Sequence, residues 1–167
     1  MIVLVGFMGA GKTTVGRLLA AQLGLPFTDA DAVIEARAGR PIREIFTTHG
    51  EAGFRALEHQ VTAELLAGPE TVLALGGGAV QHAATQHALA GQHVVFLDVG
   101  YAEARQRVGG DDLRPMLRNP DLEQIFQQRQ AGYQAVATVV VRTGGRPAAA
   151  VCREILAQLP QPSDARP

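Results

Sequence analysis

Gly6-Phe7-Met8-Gly9-Ala10-Gly11-Lys12-Thr13 is the stretch that decides the fold of this chain. It follows the apolar run 1–5, leads directly into a helical pattern, and has the spacing G-x-x-x-x-G-K-[ST]. Glycines at these places let backbone N–H groups turn toward phosphate oxygens, and the start of a helix adds further unpaired N–H groups. The pattern predicts a phosphate-binding loop in which Lys12 reaches the β- and γ-phosphates and Thr13 holds Mg²⁺. A turn that only caps a helix would need no lysine there.

The composition is that of an ordinary globular chain. Its 167 residues are 47% hydrophobic and 19% charged, and 15 basic against 16 acidic residues leave a net charge of −1. We therefore expect one domain with its own core and no nucleic-acid or membrane partner. We also expect the protein to be a monomer. Cys152 is the only cysteine, and we see no secretory signal and no run of membrane-spanning length, which together predict a cytoplasmic protein.

Short apolar runs alternate with helical patterns along the chain. The runs are continuous, which is typical of strands covered on both faces, so they predict an α/β fold with a five-stranded parallel sheet between two helical layers. We expect residues 1–159 to form one domain and 160–167 a flexible tail. The predicted strands are 1–5, 25–28, 71–75, 93–99 and 137–143, and the predicted helices after the first are 30–38, 42–48, 52–66, 83–90, 102–108, 122–133 and 148–159.

Residues 109–120, which read GGDDLRPMLRNP, are the segment that resists regular assignment. A connection of this length within a compact domain is usually functional or disordered. We interpret it as a lid, because Arg114 stands beside Pro115 on a stiffened stretch and could swing over bound phosphates. A simple surface loop is the alternative.

Two aspartates follow the second predicted strand, in the stretch Thr28-Asp29-Ala30-Asp31. This position, at the carboxyl end of a strand and beside the phosphate loop, is where an open α/β sheet binds its ligands. We predict that Asp29 acts on Mg²⁺ through water and that Asp31 accepts or orients the proton of an attacking hydroxyl. The alternative is that they only cap the next helix.

Two later stretches carry further candidates. Arg55 and Glu58 are three apart on a predicted helix, so they form either a surface ion pair or an arginine braced to face an anionic ligand. The third strand ends in Gly76-Gly77-Gly78, where three missing side chains let a ligand touch the backbone. The five histidines lack metal-ligand spacing, and we expect them to be surface or capping residues.

The ordered set of motifs resembles the shikimate kinase family. It comprises the loop GFMGAGKT, the sequence DAD after strand two, FRALE, GGG, RPML and a later Arg129, and it extends to about residue 159. The resemblance implies a P-loop NTPase fold like that of the nucleoside monophosphate kinases, with a lid. It also implies Mg²⁺- and ATP-dependent phosphorylation of the 3-hydroxyl of shikimate, in the pathway to chorismate and the aromatic amino acids.

The resemblance also implies roles for individual residues. Asp31 would bind the ring hydroxyls, and Arg55 and Arg129 the carboxylate of the acceptor. Glu58 would brace Arg55, and Gly77 would bind a hydroxyl through its backbone. The catalytic residues would be Lys12, Asp31 and Arg114, and the metal-binding residues would be Thr13 and, through water, Asp29. ATP would be bound by Gly9, Ala10, Gly11, Lys12, Thr13, Thr14, Arg107, Arg114 and Arg146, with Arg107 and Arg146 beside the base. The acceptor would be bound by Asp31, Arg55, Glu58, Gly76, Gly77, Gly78 and Arg129.

Other functions stay open at the level of sequence. One alternative is a kinase for another polyol acid, such as gluconate, or for a nucleoside monophosphate. Another is a nucleotide-dependent switch without a small substrate. Switches that read guanine through an N-K-x-D stretch are excluded, because Lys12 is the only lysine.

Overall fold

The structure is a computed structural model, and it describes residues 1–109 and 119–160. Every predicted strand and helix is present, with ends that differ by a few residues. None of the described helices is long and apolar enough to cross a membrane. The strands are β1 (Ile2–Val5), β2 (Phe27–Asp29), β3 (Val72–Ala74), β4 (His93–Asp98) and β5 (Val139–Arg142), and the helices are α1 (Lys12–Leu23), α2 (Ala30–Ala38), α3 (Ile42–Leu66), α4 (Ala83–Ala88), α5 (Tyr101–Val108), α6 (Leu122–Val136) and α7 (Ala148–Gln158), with a short 3-10 helix over Ala79–Gln81.

The five strands form one sheet in the order β2-β3-β1-β4-β5, and every pair is parallel. β1 is central, and Val3 and Leu4 within it are fully buried, as its continuous apolar run predicts. The helices form two groups: α1 packs on α7, whereas α3, α4 and α6 gather around the short 3-10 helix. The predicted three-layer α/β fold is therefore confirmed.

A second, smaller apolar cluster joins α2 to α3. It contains Ile34 from α2 and Ile45, Phe54 and Val61 from α3. α3 breaks at Gly50, whose φ of 68° lies in the left-handed region, so its two halves correspond to the two helices predicted over 42–48 and 52–66. This α2–α3 unit carries the FRALE stretch to the carboxyl edge of the sheet.

The phosphate loop lies close against its neighbours at two glycines. A Cβ on Gly6 would lie 2.7 Å from the carbonyl oxygen of Leu97 in β4, and a Cβ on Gly9 would lie 2.5 Å from that of Ala104 in α5. Both contacts are to backbone, which cannot rotate away as a side chain can. The loop therefore depends on glycine for its conformation and for the space it occupies.

The lid interpretation falls mainly on residues 110–118, which lie outside the described part of the chain together with Arg114. Residues 161–167, the greater part of the predicted tail, lie outside it as well. The division into one domain and a tail stays a prediction.

Replacing two glycines separates the cost of backbone strain from the cost of the close approach. Gly9 and Gly24 both have positive φ, but no atom lies within 4 Å of a Cβ on Gly24. We expect Gly24→Ala to lower the free energy of unfolding by about 1 kcal/mol, from strain alone. Gly9→Ala adds the collision with Ala104, and we expect a loss of at least about 3 kcal/mol. Urea unfolding measures both losses; equal losses would contradict the packing described here.

Candidate active site

The phosphate loop is organised by the side chain of Lys12. Its Nζ donates to the carbonyl oxygens of Gly6, at 2.8 Å, and Phe7, at 3.2 Å, so the ammonium lies across the loop. Gly11, with a φ of 95°, caps α1, and the first turn of that helix contains no acidic residue. The helix start and the ammonium together make this loop electropositive, which suits a phosphate chain.

Asp29, the last residue of β2, has two hydrogen-bond partners. Its Oδ2 accepts a hydrogen bond from the Thr13 hydroxyl at 2.9 Å, and its Oδ1 accepts one from the Asp31 backbone N–H at 3.1 Å. The second bond caps α2. Asp29 therefore caps α2 and also lies beside the phosphate loop, so the two interpretations do not exclude each other. A hydroxyl and a carboxylate are oxygen ligands of the kind that Mg²⁺ prefers, so the pair fits a magnesium site.

The glycines after β3 make room for two carboxylates. A Cβ on Gly76 would lie 2.7 Å from Glu58 Oε1 and 2.8 Å from Asp31 Oδ1. The side chains of Asp31, from α2, and Glu58, from α3, therefore meet above the end of β3. Glu58 is buried, with 4% of its surface exposed.

Two arginines lie beside these carboxylates. Arg55 donates through Nη1 to Glu58 at 2.6 Å and through Nη2 to Glu51 at 3.3 Å, and its guanidinium lies over Gly78, where a Cβ would collide with it. Arg129 from α6 is buried, and its Nη1 lies 3.6 Å from the place of a Cβ on Gly77. Of the two interpretations of Arg55 and Glu58, the geometry supports the braced arginine.

An open pocket of about 370 Å³ extends from these groups away from the phosphate loop. Most of the residues that line it have polar side chains, and both arginines are among them. Such a volume suits a small molecule with several hydrogen-bonding groups. The lining residues are Glu51, Arg55, Glu58, His59, Gly78, Ala79, Gln81, His82, Thr85, Asn119, Ile125, Gln128 and Arg129.

Tyr133 of α6 contacts the glycine stretch after β3, and no sequence pattern pointed to it. Its hydroxyl donates to the Gly77 carbonyl at 2.5 Å. Burial raises the pKa of Tyr133 to about 12, and the nearby charge of Arg129 opposes that rise. The phenol therefore stays a donor at neutral pH and fixes the peptide between Gly77 and Gly78.

One of the histidines differs from the expectation. His82 caps α4 through Nδ1, which accepts from the Ala84 N–H at 3.3 Å, as a capping residue would. His59, however, is half-buried, stacks on the His82 ring with 3.9 Å between centroids, and lines the pocket. Sequence spacing could not reveal this contact, because the two rings come from different elements.

The other side of the phosphate loop contains Arg107 and Arg146. Arg107 donates to the carbonyl oxygens of Gly9, at 3.1 Å, and Thr143, at 2.8 Å, so it bridges the loop and the end of β5. Arg146 pairs with Glu154 on α7 at 2.7 Å. Both arginines thus lie on the side of the loop opposite the pocket.

The described residues of the predicted site therefore fall into three groups along the carboxyl edge of the sheet. An electropositive phosphate loop lies in the centre, a polar pocket with arginines and carboxylates lies beyond β3, and two arginines lie beyond β4. Thr14 is exposed in the first turn of α1, and Ala10 is buried under the loop. The fold and this site define a P-loop kinase for a small molecule.

The chain belongs to the shikimate kinase family, because the family model described as shikimate kinase matches residues 8–160. The chain is 46% identical to the shikimate kinase of Thermobifida fusca over 98% of its own length and 97% of that protein. It is 44% identical to that of Mycobacterium avium, with 95% and 92% covered. The solved structure of the Acinetobacter baumannii shikimate kinase in complex with shikimate superposes with a TM-score of 0.87, at 40% identity, over 93% of this chain and 89% of that one.

The buried phenol predicts a loss of stability at high pH. The pKa of an unfolded tyrosine is near 10, whereas burial raises the pKa of folded Tyr133 to about 12. The contribution of Tyr133 to the free energy of unfolding is therefore complete below pH 10 and is lost as the pH rises toward 12. Between pH 10 and 12, the free energy of unfolding of the wild type should fall more steeply with pH than that of Tyr133→Phe. The expected difference in slope is about 1.4 kcal/mol per pH unit. Urea unfolding from pH 9 to 12 measures the difference.

Tyr101→Phe, which changes the only other tyrosine, is the control and should keep the wild-type slope. Burial also raises the pKa of the Cys152 thiol, but this contribution is the same in all three proteins. Parallel pH profiles for the wild type and Tyr133→Phe would show that the interpretation of Tyr133 is wrong.

Proposed function

We propose that this chain transfers the γ-phosphoryl group of ATP to the 3-hydroxyl of shikimate, giving shikimate 3-phosphate and ADP in the pathway to chorismate. The observation that carries the proposal is the charge pattern around Gly76, Gly77 and Gly78, where arginines and carboxylates converge over bare backbone beside a phosphate loop. Shikimate is a small ring acid with several hydroxyls. Its carboxylate can pair with the arginines, and its hydroxyls can donate hydrogen bonds to the carboxylates. Membership of the shikimate kinase family supports the same acceptor.

Binding of the acceptor follows from the forks of the two arginines. Arg55 and Arg129 would bind the carboxylate, since a guanidinium pairs with it through two parallel N–H groups. Glu58 would hold Arg55 in orientation, as its bond of 2.6 Å already does. The carboxylate of Asp31 and the backbone of Gly77 would bind hydroxyls, with Gly76 and Gly78 leaving the space.

Catalysis would come mainly from positioning and charge stabilisation. The acceptor oxygen forms a bond to the γ-phosphorus while the bond from that phosphorus to the bridging oxygen of ADP breaks. Asp31 would accept or orient the proton that the acceptor hydroxyl loses. Lys12, held across the loop by two carbonyls, would turn to the β- and γ-phosphates, and Arg114 would close over them.

Mg²⁺ belongs to the proposal as a cofactor, and Thr13 and Asp29 would hold it, Asp29 through water. When bound, the ion offsets negative charge on the phosphate oxygens. The remaining residues of the phosphate loop, Gly9, Ala10, Gly11 and Thr14, would bind the phosphates, and Arg107 and Arg146 would lie beside the base. We also propose that the enzyme acts as a monomer in the cytoplasm.

A panel of acceptors tests the proposal directly. We expect Mg²⁺-dependent ADP release from ATP with shikimate, and turnover at least about a hundredfold lower with gluconate or AMP, because neither presents a ring carboxylate and hydroxyls at the same separations. A coupled assay for ADP, with acceptor omitted as the control, measures the rates. Strong turnover with gluconate or AMP and none with shikimate would refute the proposal.

Replacement of Arg55 tests how the carboxylate is recognised. Arg55→Lys keeps a charge beside Glu58 but loses the fork, and Arg55→Leu loses both. We expect the shikimate KM to rise about tenfold or more for Lys and about a hundredfold for Leu, with the ATP KM little changed, because a bidentate charged contact is removed.

The matched control for these variants is Arg37→Leu. Arg37 forms a similar two-pronged ion pair, with Glu64, on the outer side of the α2–α3 unit, away from the pocket. We expect this variant to keep the wild-type shikimate KM. An unchanged KM in both Arg55 variants would contradict the assignment of Arg55.

A further inference from the structure

The order of the strands separates the two substrates of the proposed reaction. The acceptor groups follow β2 and β3 or face them, on one side of the phosphate loop, which itself follows the central strand β1. The base of ATP must therefore extend to the other side, beyond β4 and β5. There the chain offers α5 and the residues Thr143–Gly145 after β5, which we call the donor turn.

Glu103 of α5 is the centre of the contacts on that side. Its Oε1 accepts a hydrogen bond from Arg107 Nη2 at 2.6 Å and from the Gly145 backbone N–H at 2.9 Å. Arg107 in turn donates to the carbonyl oxygens of Gly9, at 3.1 Å, and Thr143, at 2.8 Å. One carboxylate thus links the phosphate loop, α5 and the donor turn.

The donor turn is shaped to fit this carboxylate. A Cβ on Gly144 would lie 2.7 Å from Glu103 Oε2, and Gly145 has a φ of 63°, in the left-handed region. The side chains of Glu103 and Arg107 are both about one third exposed, so the bridge borders the open side of the site. An exposed (i, i+4) ion pair adds little to stability, so a stability role alone does not account for this arrangement.

We propose that Glu103 is a positioning residue for the nucleotide, a role that rests on the proposed function. It holds the Arg107 guanidinium and the donor turn in one arrangement before ATP arrives. Without it, the long arginine side chain and a glycine-rich turn would have to lose their conformational freedom when the base binds, and affinity would fall accordingly. Glu103 itself acts through Arg107 and Gly145 and need not touch the nucleotide.

The test compares Glu103→Ala and Glu103→Gln with the control Glu64→Ala. Glu64→Ala makes the same change of charge and removes an arginine pair at a distant site, the one with Arg37. Three quantities are measured for each protein: the Kd of a fluorescent N-methylanthraniloyl derivative of ADP, the KM values for ATP and shikimate with kcat, and the melting temperature.

We expect Glu103→Ala to raise the Kd of the ADP derivative and the ATP KM by about tenfold, and to change the shikimate KM much less. Glu103→Gln should recover part of the loss, because its amide oxygen can still accept the bonds that Oε1 accepts. Glu64→Ala should match the wild type in every nucleotide measurement.

Several results would overturn the role of Glu103. In Glu103→Ala, the role would be wrong if the Kd of the ADP derivative and the ATP KM stayed within twofold of the wild type, or if the KM values of ATP and shikimate rose equally. It would also be wrong if Glu103→Gln bound the ADP derivative no better than Glu103→Ala. The binding measurement requires no acceptor. If the wild type binds the ADP derivative but does not phosphorylate shikimate, the proposed function fails while Glu103 is still judged on Kd; if the wild type does not bind it, both fail.

Discussion

The close approach of the phosphate loop to β4 and α5 is the constraint on which the rest of the site depends. At Gly6 and Gly9 the loop backbone lies against backbone carbonyls where no Cβ fits. Phe7, between them, is buried against the ring of Phe126 at 5.0 Å. The loop therefore has one position relative to the sheet, and this position determines where the Lys12 side chain lies. In the proposed reaction, both substrates would be positioned relative to this loop.

The acceptor side is built from charges that satisfy one another before any ligand binds. Burying a carboxylate such as Glu58 would be costly alone, and its bond with Arg55 offsets much of that cost. The bare backbone after β3 lets these groups meet, and the buried Tyr133 fixes that backbone from below. A preorganised set of this kind can bind an acid with several hydroxyls without reorganising the protein.

The two halves of the site have separate apolar supports. The phosphate loop and Arg129 rest on the main core around the sheet, whereas Arg55 and Glu58 are carried by the α2–α3 cluster around Ile34 and Phe54. Asp29 lies between the halves, since it caps α2 and accepts from Thr13 of α1. The geometry between donor and acceptor therefore depends on this one carboxylate as well as on the packing of two clusters.

The sequence by itself determined the strands, the helices, the break at Gly50 and the phosphate loop, because local backbone preferences and the period of apolar residues encode them. It also placed Asp31 and the three glycines at strand ends, where parallel strands share one carboxyl edge, and Arg55 on a helix three residues before Glu58. Only the tertiary structure decided that Arg55 is braced over Gly78, that Tyr133 bonds to Gly77, that His59 stacks on His82 and that Glu103 holds Gly145. These contacts join residues on different elements, and no local pattern specifies them, because each depends on where two packed elements meet.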